Sequence, residues 1–151
     1  MDLKLKDIEV VSVNISRKKG TIKEPVEVIN LNSKGIEEDA HAGDWHRQVS
    51  FLAKESIDKF ESVLGRKINY GEFAENITTV GFEWYKAKPG DKIIIGETEM
   101  EITQIGKKCH GTGCQIFEQV GKCVMPKEGI FCKVVKFGSV KAGDKVTYIP
   151  K

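Results

Sequence analysis

Short segments with an apolar residue at every second position most constrain how this chain can fold. The side chains of a β-strand point alternately to its two faces, so this period of two is typical of a half-buried strand. Ile8 and Val10 begin such a segment. Val11, Val13 and Ile15 continue it after a shift of phase. We therefore predict a first strand that contains a bulge.

Further strands are predicted at short intervals. Val26 and Val28 repeat the period of two, and the apolar run at residues 49–53 predicts a short buried strand. Two later segments, KIIIG and TEMEIT, predict a hairpin joined near Gly96 and Glu97. Many short strands with glycine-containing turns favour a barrel.

One segment, KESIDKFESVLG, predicts a helix. Ile57, Phe60 and Leu64 recur at helical spacing, and Gly65 is a suitable residue to end the helix. The fold class is therefore mainly β, a β-barrel with a few short helices. A length of 151 residues suits a single domain over residues 1–151.

Charge and hydropathy limit the partners. The chain has 24 Lys and Arg against 22 Asp and Glu, a net charge of +2 that indicates no nucleic-acid partner. No apolar run approaches the ~20 residues that span a bilayer, and no secretory signal is recognisable. We expect a cytoplasmic protein without a membrane segment, in which the four cysteines are reduced.

The cysteines stand at positions 109, 114, 123 and 132. The spacing lacks the close C-x2-C pairs of zinc ribbons, although Cys109, His110 and Cys114 would supply three ligands of a structural zinc site. Cys132 lies in a predicted strand, where a buried and inert thiol is expected. Cys123 reads as a free thiol.

The segment GKKCHGTGCQIF has the composition of a reactive-thiol site. Lys107, Lys108 and His110 stand beside Cys109 and Cys114. Neighbouring positive charges favour the thiolate, which is the reactive form of cysteine, and glycines let a ligand approach the backbone. An inert loop of the same composition remains an alternative.

A second segment, DAHAGDWHRQVS, combines His41, His46 and Arg47. The histidines are five residues apart, which is not the helical spacing of a paired metal site. Either the polar side chains bond the local backbone, or the segment forms an anion or cofactor pocket around Arg47.

The third segment, GEFAENIT, contains Glu72, Glu75 and Asn76. Paired carboxylates would suit acid–base chemistry, but their position beside a strand favours turn and capping hydrogen bonds. Aromatic residues such as Trp45 and Trp84 would stack on a flat ring or, more commonly, pack in a core.

These three segments lie in longer stretches that follow one another along the chain as DAHAGDWHRQVSFLAKES, YGEFAENITTVG and PGDKIIIGETEMEITQIGKKCHGTGCQIF. Together with the closing VMPKEGIFCKVVKFGSVKAGDKV they resemble the MOSC domain, named for the C-terminus of molybdenum cofactor sulfurases. The resemblance covers roughly residues 8 to 149. It implies a fold similar to the barrel domain of pyruvate kinase. It also implies binding of the molybdenum cofactor, a pterin dithiolene with a phosphate, and a cysteine that carries sulfur or ligates molybdenum.

Cys114 matches the family's cysteine because Gln115 and Ile116 follow it, and Cys109 is the competing candidate. The resemblance and the residue chemistry together give two sets of site residues. The catalytic set is Cys114, Cys109, His110 and Lys108. The cofactor-binding set is Arg47, His41, His46, Asn76 and Lys107.

The chain departs from complete sulfurases, because it has no room for their pyridoxal-phosphate domain and no recognisable Schiff-base lysine. A sulfur-carrying role would therefore require a separate cysteine desulfurase or a molybdenum-cofactor enzyme as partner. The alternatives are a molybdenum-dependent reductase of N-hydroxylated compounds, in which Cys114 ligates the metal, and a binding module with structural zinc.

Overall fold

The computed structural model describes residues 8–18, 22–40, 42–106 and 128–151. In chain order the elements are β1 Ile8–Ile15, β2 Glu24–Val26, β3 Ile29–Asn32, β4 Gly35–Ile36, β5 Val49–Ala53, α1 Lys54–Leu64, β6 Ile77–Val80, a short 3-10 helix Trp84–Lys86, β7 Lys92–Ile95, β8 Thr98–Ile105, β9 Ile130–Lys136, β10 Gly138–Val140 and β11 Lys145–Ile149.

Seven strands form a closed barrel, which confirms the mainly β prediction. Their order is β11, β7, β8, β9, β5, β6 and β1, and β1 closes the ring by pairing with β11. β2 is added at the edge of β1, and a separate three-stranded sheet has the order β10, β3, β4. β5 and β6 run parallel, and α1 lies in the connection between them. Parallel strands need such a crossover connection.

The predicted bulge is present in β1. The strand pairs with β6 in two registers that shift between Val10 and Ser12. The bulge lets Val10 and Val13 both face the interior, where each is completely buried. The phase shift in the sequence is therefore the mark of this irregularity.

Two apolar clusters hold the barrel and the helix together. The first fills the barrel and includes Phe51 and Trp84, whose rings pack edge to face with their centroids 5.4 Å apart. The second lies between α1 and the outside of the barrel, where Ile57 packs beside Phe131. Gly65 ends α1 with φ at 72° and donates its N–H to the carbonyl of Glu61, which confirms the predicted helix stop.

The predicted strand around Val26 and Val28 has the wrong phase. Both valines are exposed, and Ile29 and Leu31 of β3 enter the core instead. The extended segment is interrupted at residues 27 and 28, between β2 and β3, and the two strands belong to different sheets. A period of two that spans two strands carries no information on which face is buried.

Within the described residues, no helix is long and apolar enough to cross a membrane.

Cys132 lies completely buried in β9, as its sequence context predicts. Burial, with a smaller contribution from Glu101, raises the pKa of its thiol well above the ordinary value.

We expect iodoacetamide at neutral pH to leave Cys132 unmodified in the folded protein and to modify it fully in guanidinium, as measured by peptide mass spectrometry. Equal labelling rates of Cys132 in both states would contradict its burial.

Candidate functional site

The predicted site residues fall into two groups. Arg47, His46 and Asn76 are described. His41, Lys107, Lys108, Cys109, His110 and Cys114 lie outside the described residues, as does Cys123. The site is therefore built here from the described side chains around Arg47.

Arg47 lies in the segment that leads into β5. Its guanidinium carbon is 4.6 Å from the centroid of the Trp45 ring and 5.7 Å from that of Phe131. Contacts of this kind place the cation over the face of an aromatic ring and contribute roughly 0.5–2 kcal/mol each, depending on desolvation. They restrain the guanidinium beside the two rings.

The Nε atom of Arg47 is buried and has no hydrogen-bond partner within the described parts of the chain. An unsatisfied buried donor costs about 1–3 kcal/mol, and more when it belongs to a charged group. This cost is removed by a ligand that brings an acceptor oxygen, best an anionic one. The arrangement therefore has the chemistry of an anion-binding site.

His46 is held against the end of β8. Its Nε2 lies 2.8 Å from Oε1 of Gln104, and Nε2 of Gln104 donates to the carbonyl of Gly106 at 2.6 Å. Because the amide nitrogen of Gln104 donates to Gly106, the amide oxygen of Gln104 is the atom that faces His46. An oxygen can only accept a hydrogen bond here, so Nε2 of His46 carries the proton. Nδ1 is then an acceptor in the neutral ring and a donor to an anion only in the imidazolium.

The backbone of His46 is fixed to the same strand. Thr103 donates its hydroxyl to the His46 carbonyl and lies 3.1 Å from the carbonyl of Phe131. We call the group of Trp45, His46, Arg47, Gln104 and Phe131 the Arg47 corner.

The Arg47 corner lies at the end of the β8–β9 pair that includes Gly106, the first residue of the predicted cysteine segment. Gly106 donates its N–H to the carbonyl of Gly129 at 2.7 Å, which closes the β8–β9 pair at this end. In the sequence, Lys107 follows Gly106 directly, and residues 107–127 separate the two strands' described ends. The barrel therefore brings the second predicted segment close to Gly106, at which the first one begins.

Asn76 is completely buried, and its side chain is occupied by protein partners. Its Oδ1 accepts from the N–H and the hydroxyl of Ser50, and its Nδ2 donates to the carbonyl of Asn14. These bonds connect Asn76 to β1 and β5 and would fix the geometry of its loop.

Glu72 and Glu75 make the turn and capping bonds that their sequence context predicts. Glu72 accepts the N–H of Asn69, and Glu75 accepts the N–H of Gly71 at 2.8 Å. Gly71 cannot be replaced easily, because a Cβ there would lie 2.3 Å from the carbonyl oxygen of Lys23.

Lys23 is a residue that the sequence analysis missed. Its ammonium is fully buried and bonds Asp39 at 2.8 Å, where the carboxylate also accepts the N–H of Ser16. The backbone N–H of Lys23 donates to the carbonyl of Gly71. Lys23 therefore connects the second and third predicted segments. Only its buried ion pair reveals this role, and nothing in its sequence neighbourhood does.

A cleft of about 710 Å³ lies along α1 and contains none of the predicted site residues. Its floor includes Ile57 and Ile68, and its carboxylates from Asp58 and Glu72 are already bonded by Lys54 and Arg66. The Nε of Arg47, in contrast, is a charged donor with no partner among the described residues, and this chemistry favours the Arg47 corner over the cleft as the candidate site.

No group of three or more His, Cys, Asp and Glu residues that could hold a metal occurs within the described stretches.

Comparison with known proteins agrees with this architecture. The model of the MOSC domain family matches residues 38–147. The structure of the YuaD protein from Bacillus subtilis is 17% identical, with 98% of each chain covered and a TM-score of 0.82. YiiM from Geobacillus stearothermophilus is 20% identical, with 94% of this chain and 75% of that chain covered and a TM-score of 0.73.

YiiM from Escherichia coli is 17% identical, with 97% of this chain and 71% of that chain covered and a TM-score of 0.70. At these identities the likeness establishes a shared fold. No curated protein matches the sequence significantly.

Glu75 provides a pH test of the buried loop. Its carboxyl is completely buried, its Oε1 has no partner in the described structure, and burial raises its pKa. Below the unfolded-state pKa of about 4.3 both states are protonated, and as pH rises the unfolded state ionises first. The Glu75 contribution to stability is therefore lost with rising pH. We expect E75Q to gain stability relative to wild type as pH rises above about 4.3.

Urea denaturation across this pH range measures the difference. The control is E27Q, at an exposed glutamate. Parallel pH profiles for E75Q and wild type would show that Glu75 ionises equally in both states.

Proposed function

The chain belongs to the MOSC domain family, and from this premise we propose that it binds the molybdenum cofactor at the Arg47 corner and carries sulfur on Cys114. The observation that carries the proposal is the buried Nε of Arg47, which has no hydrogen-bond partner among the described residues. The proposal joins this described corner to the cysteine segment that follows Gly106 in the sequence.

The residues at the corner fit an anionic cofactor. Arg47 presents charged donors at a partly buried position, and the pterin of the cofactor carries a phosphate. Charge-assisted hydrogen bonds from a guanidinium to a phosphate are among the strongest in proteins, and the planar fork can form two of them. Arg47 would hold the phosphate, and His46 would add a donor in its imidazolium form.

The other residues of the corner prepare Arg47 for this role. The rings of Trp45 and Phe131 lie within cation–π distance of the guanidinium, so its movement is restrained before the ligand arrives. Pre-orientation reduces the conformational entropy that a long side chain loses on binding. When bound, the cofactor would supply a molybdenum centre whose sulfur and oxygen ligands can be exchanged.

The cysteine would act in a thiolate-dependent sulfur transfer. The Cys114 thiolate attacks the terminal sulfur of a donor persulfide, and a new S–S bond forms to Cys114. The donor's S–S bond breaks, and its electron pair leaves with the donor thiolate. The lysines at 107 and 108 and His110 favour the thiolate form. Cys109 is the competing carrier, and Cys114 is preferred on its sequence context.

The transfer needs a source of persulfide sulfur. The sequence shows no pyridoxal-phosphate site, so the proposal includes a separate cysteine desulfurase as donor and a molybdenum-cofactor enzyme as acceptor.

The cofactor part of the proposal is tested with R47Q. We expect wild-type protein from a cofactor-producing host to contain molybdenum and pterin in equal amounts. R47Q should bind the cofactor at least about 10-fold more weakly, since it loses a charge-assisted hydrogen bond. R17Q, at an exposed arginine paired with Glu38, is the matched control. Wild type without either component, or R47Q that retains both fully, would overturn the assignment.

The sulfur part is tested by paired substitutions, C114S and C109S, exposed to a persulfide donor labelled with heavy sulfur. Mass spectrometry of the resulting peptides assigns the label. We expect C109S to accept sulfur as wild type does and C114S to accept none. Labelling of C114S at Cys109 would transfer the role to Cys109, and unlabelled wild type would reject sulfur carriage.

A further inference from the structure

We infer that Gln48 is a positioning residue for Arg47. Its side chain accepts a β9 hydrogen bond that the backbone of a longer β5 would otherwise accept, and this fixes the backbone next to Arg47. This inference rests on the proposed function of Arg47 as the anion-binding residue. It concerns the hydrogen bonds that fix the backbone on which that arginine stands.

The first step is the end of the β5–β9 ladder. Val49 pairs with Cys132, and a continued antiparallel register would pair Arg47 with Val134. The backbone of β5 stops before that point. The side-chain Oε1 of Gln48 accepts the N–H of Val134 at 2.9 Å. The carboxamide thus satisfies a β9 donor that a longer β5 would have satisfied, and it frees the backbone at Arg47 to leave the sheet.

The second step is the other end of the same side chain. Both protons of Nε2 are used, one for the carbonyl of Ser33 at 3.0 Å and one for that of Gly43 at 2.9 Å. Gln48 is 5% exposed. A buried carboxamide whose oxygen and both N–H groups are hydrogen-bonded can take only one orientation. If the amide were flipped, its oxygen would face two carbonyl oxygens. Neither glutamate nor methionine can make this set of bonds.

The close approach that these bonds need is visible at Gly35. Its φ is 118°, and a Cβ there would come within 3.0 Å of both Cβ and the carbonyl oxygen of Gln48. Glycine at this position therefore lets the start of β4 pack against Gln48.

The third step links Gln48 to Arg47. Gly43 is held by Gln48 and also donates its N–H to the carbonyl of Lys34 at 2.7 Å, while His46 is held by β8. The segment from Gly43 to Gln48 is thus fixed at both ends. The rings of Trp45 and Phe131 restrain the guanidinium itself, and the backbone that Gln48 helps to fix sets the position from which the Arg47 side chain reaches those rings.

The test uses Q48M, which keeps the length of the side chain and removes its hydrogen bonds. The control is T98V, which removes a buried hydrogen bond to Ile95 at the opposite end of β8 and should lower stability without touching the corner. Two properties are measured under conditions in which both variants are folded: the Kd for inorganic phosphate by calorimetry, and the NMR signal of the Arg47 Nε–H with its rate of exchange with water.

We expect Q48M to bind phosphate roughly 10-fold more weakly than wild type, as when supporting hydrogen bonds of a ligand-binding residue are lost. Its Arg47 Nε–H should move toward the position of a solvated arginine and exchange faster. T98V should match wild type in both properties. A Q48M protein with wild-type affinity and an unchanged Arg47 signal would overturn the inference.

The outcomes separate this inference from the proposed function. Failure of wild type to bind phosphate would count against the anion site, and the Arg47 signal would still decide whether Gln48 positions the side chain. Phosphate binding that R47Q abolishes but Q48M leaves unchanged would support the anion site and reject the role of Gln48.

Discussion

The position of β9 between β8 and β5 is the constraint on which the candidate site depends. β9 pairs with β8 over most of its length and with β5 at its start, and the closure of β1 on β11 holds the ring in this order. The beginning of β5 and the end of β8 are thereby placed side by side. Two segments far apart in the sequence meet at this edge, and the Arg47 corner is the result.

A barrel alone does not fix the loops that carry these residues, and buried polar groups perform this second task. The Lys23–Asp39 ion pair and the amides of Asn76 and Gln48 each join segments distant in sequence. Burying such groups is costly unless their hydrogen bonds are satisfied, so each accepts few alternative geometries. The Nε of Arg47 differs from these groups, because it has no partner among the described residues, and it lies at the proposed ligand position.

Local patterns predicted the local elements: α1 with its stop at Gly65, the β7–β8 hairpin and the β1 bulge follow from spacing and turn residues. The phase at Val28 was wrong, because two short strands from different sheets were read as one. Residue chemistry made Arg47 a candidate, which stays a prediction. The roles of Lys23 and Gln48 were not, because their partners lie in segments that only the folded barrel brings together, so no local period reveals them.

The central claim is that the Arg47 corner holds the cofactor. The most direct measurement is a crystal structure of protein purified with its cofactor from a producing host, with molybdenum located by its anomalous scattering. The account predicts the pterin phosphate in hydrogen-bond contact with the guanidinium of Arg47. A cofactor bound elsewhere, for example in the cleft between α1 and β2, with Nε of Arg47 still unpartnered, would contradict it.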